Sequence, residues 1–235
     1  MKNILIIISS LLLSVTPELN SDDVVLNYLV KQPLVASAHP PVLIMLHGVG
    51  SNEKDLFSLA NQIDERFLVI SAQAPYYMGD DRYGWYEINF QNGKPNINEE
   101  QANKSRETLL RFIEQIIEKY SVDTEKIYLM GFSQGAIMSF SIGLTRPEKV
   151  AGIACFSGRV LQTTEQNMSK DQKLQDLRVF LAHSTNDNVL NYQYALESKE
   201  LLARNGIKTE FVSDNVGHSI SPSSLAKFSA WLKSN

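Results

Sequence analysis

An α/β architecture, with a mostly parallel central sheet and helices on both faces, is predicted by three features of the 235-residue chain. Short apolar runs recur from residue 24 onward. Patterns with apolar residues three and four apart separate them. The run Ile127-Tyr-Leu-Met130 leads directly into Gly131-Phe-Ser133-Gln-Gly135 and then a stretch of small and apolar residues. Strands that are apolar throughout need cover on both faces, and helices flanking a parallel sheet provide it.

Taken in order, strands are expected at 24–30, 42–47, 67–71, 126–130, 151–156, 178–183 and 209–213. A helix over 51–63, capped by Ser51 or Asn52, places Leu56, Leu59, Ala60 and Ile63 on one face. The run 99–120 repeats that spacing with Leu109, Phe112, Ile113, Ile116 and Ile117. A further helix over 191–205 stops before Gly206, and the last begins at Ser221 with Pro222 in its first turn. Two irregular stretches remain. Residues 74–98 are dense in aromatics, and Tyr83, Trp85 and Tyr86 are read as substrate-binding wall residues; 157–177 is read as an exposed polar excursion.

Composition narrows the function. Net charge is −4 with both signs dispersed, so nucleic acid is not an expected partner. Cys155 lies in an apolar run and reads as a small buried hydrophobe. No C-x-x-C or H-E-x-x-H spacing calls for a metal, and no cofactor is implied. Lys2 followed by an apolar core to Val15 has the build of a signal peptide over 1–20, too short for a stable membrane span. That predicts an exported, periplasmic or secreted protein, or a cytoplasmic one if the segment is instead part of the fold. Residues 24–235 are expected to form a single domain. The sequence specifies no oligomeric state.

Gly131 to Gly135 matches G-x-S-x-G, the turn that lifts a serine clear of a sheet edge. A serine hydroxyl needs a base, and the base needs a carboxylate to fix its tautomer. Two histidines follow Ser133. His218 lies between the last strand and the last helix, as a base must; His183 ends its own strand and reads as a loop brace. Asp187, just beyond a strand's C-terminal end, is the favoured acid over Asp214. A histidine base predicts activity that rises with pH through about 6 to 7. Oxyanion donors are expected from the Gln134 N–H and from the Val49 N–H in His47-Gly-Val-Gly50, with His47 holding that loop.

Five blocks, Leu46 to Leu56, Ala74-Pro75, Gly131 to Gly135, Thr185-Asn-Asp187 and Gly217-His218, occur in an order that resembles the phospholipase/carboxylesterase family of α/β-hydrolases. The family includes small bacterial carboxylesterases and acyl-protein thioesterases. The resemblance implies an α/β-hydrolase fold without a cap domain and a serine hydrolase acting on a small-molecule ester or thioester. It places Ser133, Asp187 and His218 at the triad positions and Val49 and Gln134 at the oxyanion positions. The chain departs from the family pattern at His183-Ser184, where His-Gly is usual, and at Asn188, where many relatives carry proline or another turn residue. The alternative is a hydrolase-fold binding protein that has lost catalysis.

Overall fold

Apolar runs that alternate their side chains between two faces build the sheet. The computed structural model describes residues 24–91 and 94–234, so the signal-peptide reading of 1–20 lies outside the described residues. In chain order the strands are β1 (Tyr28–Lys31), β2 (Val42–Leu46), β3 (Leu68–Ala72), β4 (Tyr76–Tyr77), β5 (Tyr83–Gly84), β6 (Ile88–Gln91), β7 (Lys94–Ile97), β8 (Ile127–Phe132), β9 (Gly152–Phe156), β10 (Arg178–Ser184) and β11 (Lys208–Asp214). The α-helices are α1 (Glu53–Phe57), α2 (Glu99–Tyr120), α3 (Gln134–Thr145), α4 (Gln162–Gln166), α5 (Lys173–Asp176), α6 (Gln193–Arg204) and α7 (Pro222–Lys233).

Seven strands form one sheet in the order β1-β3-β2-β8-β9-β10-β11. All neighbouring pairs are parallel except β1 with β3. Leu43 and Met45 of β2, Met130 of β8 and Phe180 of β10 pack on one face with Leu56, Phe228 and Trp231. Ile44, Leu46, Leu129, Cys155 and Leu181 pack on the other with Leu109, Phe112 and Phe140. The period-two alternation thus feeds two cores, as a sheet sandwiched by helices requires. Among the described residues no helix is long and apolar enough to cross a membrane, and no cap domain covers the sheet's C-terminal edge.

From β2 the chain crosses to β3 on one side, whereas the strand on the other side of β2 is β8. The loops leaving β2 and β8 therefore diverge at a switch point, where open α/β sheets place their ligands. Val49 and Ser133 lie on these two loops, and Gln134 opens the helix that follows Ser133.

Three expectations are corrected. The first strand covers Tyr28–Lys31 rather than 24–30 and runs antiparallel at the sheet edge. The 51–63 helix ends at Phe57 and continues as a 3-10 turn over Ala60–Gln62. There Ser58 Oγ donates to Asp55 O at 2.6 Å and Leu59 N–H reaches back only to Leu56 O, which tightens the chain out of α-geometry. Within 74–98 two hairpins form, β4–β5 and β6–β7. The first reverses through Gly79, Asp80 and Asp81, all at positive φ, a conformation that glycine and aspartate tolerate best.

Candidate active site

Ser133 sits between β8 and α3 with φ 52° and ψ −115°, a strained turn for a residue with a Cβ. The flanking glycines make the turn possible. A Cβ on Gly135 would stand 1.9 Å from Leu46 O, and one on Gly131 would stand 2.3 Å from the Gly135 carbonyl carbon. Neither distance is physical, so both positions require hydrogen alone.

Above the turn, His218 Nδ1 lies 2.7 Å from Asp187 Oδ2, and Nε2 lies 3.0 Å from Ser133 Oγ. A carboxylate only accepts, so Nδ1 carries the proton and Nε2 turns its lone pair to the serine hydroxyl. Asp187 Oδ1 accepts the N–H groups of Val189 and Leu190, both at 2.9 Å. Burial pushes the Asp187 carboxyl upward, but the bonds from His218, Leu190 and Val189 outweigh it and hold the group below the ordinary carboxylate range. Its contribution to stability is therefore present above that range and is lost as pH falls through the lowered folded value.

Other residues weighed in the sequence take different places. His183 is buried; its Nε2–H donates to Leu190 O at 2.8 Å and stands 3.3 Å from Asp187 Oδ2. It braces the acid loop from below and does not touch Ser133. Asp214 ends β11 with its Oδ1 buried and without a hydrogen bond, and its backbone carbonyl accepts from Thr185. Cys155 is buried in the sheet and desolvation raises its thiol pKa, which leaves it protonated.

Two positioning residues escaped the sequence reading. Ser184 Oγ accepts the N–H groups of Val216 and Gly217 at 2.8 and 3.0 Å and donates to Asn186 Oδ1, which also accepts from Gly217. The hydroxyl that stands where the family pattern has glycine thus ties the end of β10 to the loop carrying His218. The departure at Ser184 was visible in the sequence; its partners, about thirty residues on, were not.

The loop after β2 runs against the serine. A Cβ on Gly48 would lie 3.2 Å from Phe132 Cδ1 and 3.4 Å from Ser133 Cβ. A turn closed by Ser51 N–H on Gly48 O encloses Val49 and Gly50, the latter at φ 77°. His47 holds this loop: the Ala74 N–H donates to its Nε2 at 3.0 Å, so Nδ1 carries the proton and donates to Gly48 O at 2.7 Å. Burial lowers its pKa and keeps it neutral. Gln134 opens α3, where an N–H has no carbonyl one turn earlier to bond.

The aromatic stretch divides between cleft and scaffold. Trp85 is fully buried and lies behind the cleft wall. Its Nε1–H donates to His47 O, its backbone N–H to Gln134 Oε1 at 2.6 Å, and its carbonyl accepts from Ser105 Oγ. Gln134 Nε2 in turn donates to Tyr86 O at 2.7 Å. Tyr83 pairs its backbone with Gly50 and Ser51 and packs its ring on Tyr77. Of the three residues expected on the substrate wall, Tyr86 lines the cavity that contains Ser133, whereas Tyr83 and Trp85 do not border it and make scaffold contacts. Trp85→Ala is expected to lower unfolding free energy by about 3 to 5 kcal/mol, read from urea denaturation; an unchanged midpoint would contradict the scaffold role.

Two hollows border the Ser133–His218 pair, one at Ser133 and the other at His218. One, of about 340 Å³, is lined by Val49, Tyr86, Ile137, Arg159 and Leu190 together with Ser133. The other, of about 260 Å³, is bordered by His218 together with Phe132, Leu59 and Ile220.

A parallel sheet carrying a serine on a strained strand-to-helix turn, with a histidine and a carboxylate delivered by later loops, defines an α/β-hydrolase. A family model described as Phospholipase/Carboxylesterase matches residues 32–235. Acyl-protein thioesterase 1 of Candida albicans is 28% identical over 222 residues, which cover 87% of this chain and 96% of that protein. The protein of the same name from Emericella nidulans is 28% identical over 193 residues, covering 72% and 79%. Among solved structures, the carboxylesterase from Mesorhizobium loti superposes with a TM-score of 0.80 at 20% identity, covering 93% of this chain and 99% of that one. The Bacillus cereus carboxylesterase gives 0.76 at 22%, covering 89% and 94%. The chain belongs to the phospholipase/carboxylesterase family, and it is a serine hydrolase of the esterase type.

Proposed function

We propose that this chain hydrolyses carboxylic esters, and thioesters by the same route, through an acyl-enzyme on Ser133. The observation that carries the reading is the continuous hydrogen-bond line Asp187–His218–Ser133, at 2.7 and 3.0 Å. His218 Nε2 takes the Ser133 proton as Oγ attacks the carbonyl carbon, and the carbonyl oxygen becomes an oxyanion held by the Val49 and Gln134 N–H groups. Collapse breaks the ester bond, and the imidazolium returns its proton to the leaving alcohol or thiol. Water then enters and attacks the acyl carbon as His218 takes its proton; collapse breaks the bond to Ser133 Oγ, which receives that proton from His218 as the acid leaves, so one ester and one water become one acid and one alcohol. Asp187 remains ionised throughout and offsets the charge on the imidazolium.

Because His218 protonates the leaving group, that group departs on the His218 side, towards Phe132 and Ile220. The acyl group then occupies the larger cavity beside Tyr86 and Ile137. Residues 24–235 act as a single catalytic domain in this reading. Pre-steady-state hydrolysis of p-nitrophenyl esters of graded acyl length tests it. The expected result is a burst of nitrophenol equal to the enzyme concentration, followed by slower turnover; absence of turnover across the whole series would refute it.

A further inference from the structure

Apolar side chains make up most of the acyl cavity's lining, with Ser133, Gln134, Asn191 and Tyr194 also bordering it. Val49, Ile88, Ile97, Ile137 and Leu190 make its walls, and Arg159 and Tyr86 stand among them. The Arg159 Nε is buried without a hydrogen-bond partner, and so is the Tyr86 hydroxyl, on a side chain that is 1% exposed. Leaving a buried donor unmet is unfavourable, and more so for a charged group. Two such donors on the wall of one cavity point to an acceptor that arrives with the ligand.

The surroundings favour a charged acceptor. The guanidinium is held by stacking, its central carbon 4.6 Å from the centre of the Tyr194 ring. Glu165, Glu197 and Glu200 line an adjoining pocket that Arg159 also borders, but none forms an ion pair with it, and Glu165 is engaged with Arg204. Burial pushes the Tyr86 phenol up, so it stays protonated and able to donate. The cation in the acyl cavity is therefore uncompensated among the described residues.

We propose that Arg159 and Tyr86 form a subsite for an anionic group at the far end of the acyl chain, making half-esters of dicarboxylic acids the preferred substrate class. This rests on the esterase reading above and deepens it. An apolar chain would lie along Ile137 and Leu190, and its terminal carboxylate would accept from the Arg159 guanidinium and the Tyr86 hydroxyl. Hydrolysis of monomethyl suberate, for example, consumes one water and yields suberate and methanol.

The test compares kcat/KM for monomethyl suberate with that for methyl octanoate by pH-stat, in wild type and in Arg159→Gln, Arg159→Lys and Tyr86→Phe. Wild type is expected to favour the anionic ester. In Arg159→Gln the anionic-to-neutral ratio should fall about 10- to 100-fold, the range of a charge-assisted hydrogen bond, and Arg159→Lys should recover part of it. Tyr86→Phe should lower the ratio without loss of thermal stability, because it removes a buried hydroxyl that the folded protein leaves unpaired. That combination is not expected of a purely structural tyrosine. A ratio below one in wild type, unmoved by the substitutions while methyl octanoate is still hydrolysed, would overturn the subsite and leave the esterase reading intact. Hydrolysis of neither ester, together with no burst on p-nitrophenyl acetate, would instead remove the esterase reading. Lysophosphatidic acid serves as the second arm: if Arg159→Gln affected it and spared monomethyl suberate, the anion would belong to the alcohol side and the acyl-side assignment would fail.

Discussion

Ser133→Ala is expected to lower kcat on any p-nitrophenyl ester by a factor on the order of 10⁶ while leaving the fold intact. Alanine keeps the Cβ, so the strain at φ 52° is neither relieved nor increased. Packing around the turn depends on Gly131 and Gly135, which are untouched. What is lost is the nucleophile and its bond to His218 Nε2. Ser133→Gly should lose turnover equally but be more stable than Ser133→Ala by about 1 kcal/mol, because glycine adopts positive φ without penalty. Thermal unfolding of the two variants separates this expectation from a general loss of packing. A Ser133→Ala enzyme with near wild-type kcat would show that the bond-making atom lies elsewhere.

Asp187→Asn is expected to lower kcat by about 10⁴-fold. The reason lies in how the carboxylate is held. Oδ1 accepts two backbone N–H groups, from Val189 and Leu190, so an asparagine is compelled to put its carbonyl oxygen there. Its NH₂ then faces His218 Nδ1 and donates to it, which forces the proton onto Nε2. That nitrogen would meet Ser133 Oγ as a donor and could no longer take its proton. The same NH₂ would approach His183 Nε2–H, 3.3 Å from Oδ2 in the wild type, so a loss of stability should accompany the loss of rate. Steady-state kinetics with urea denaturation reads both. A loss smaller than tenfold would move the acid role away from Asp187, with Asp214 next in line.

Legibility in the sequence differs from residue to residue. The sheet was legible because its central strands are apolar on both faces, which leaves few alternatives for runs such as Val42–Leu46 and Ile127–Phe132. The edge strand was shifted because Val24, Leu26 and Tyr28 carry apolar character beyond the pairing that begins at Tyr28; packing and pairing do not end together. The helix after β2 was overextended because Leu56, Ala60 and Ile63 do face inward, and periodicity cannot separate an α-helix from an α-turn followed by a 3-10 turn. Ser133, His218 and Asp187 were selected from chain order and residue chemistry, and the structure sets them side by side. The roles of Trp85 and Gln134 were hidden, because a tryptophan in a polar loop gives no sign of whether its ring faces substrate or scaffold. Only the reciprocal bonds between 85–86 and Gln134 decide that. Arg159 gives no sign in the sequence for a similar reason: its significance lies in the partners it lacks, which no local pattern reveals.

The account depends on one hydroxyl being far more nucleophilic than every other in the chain. Incubating the native protein with a fluorophosphonate and measuring its intact mass, followed by peptide mapping, tests that directly. The expected product is a single phosphonyl adduct on Ser133, absent from Ser133→Ala and greatly slowed in Asp187→Asn. An unmodified native protein, or an adduct on a different serine, would contradict the account.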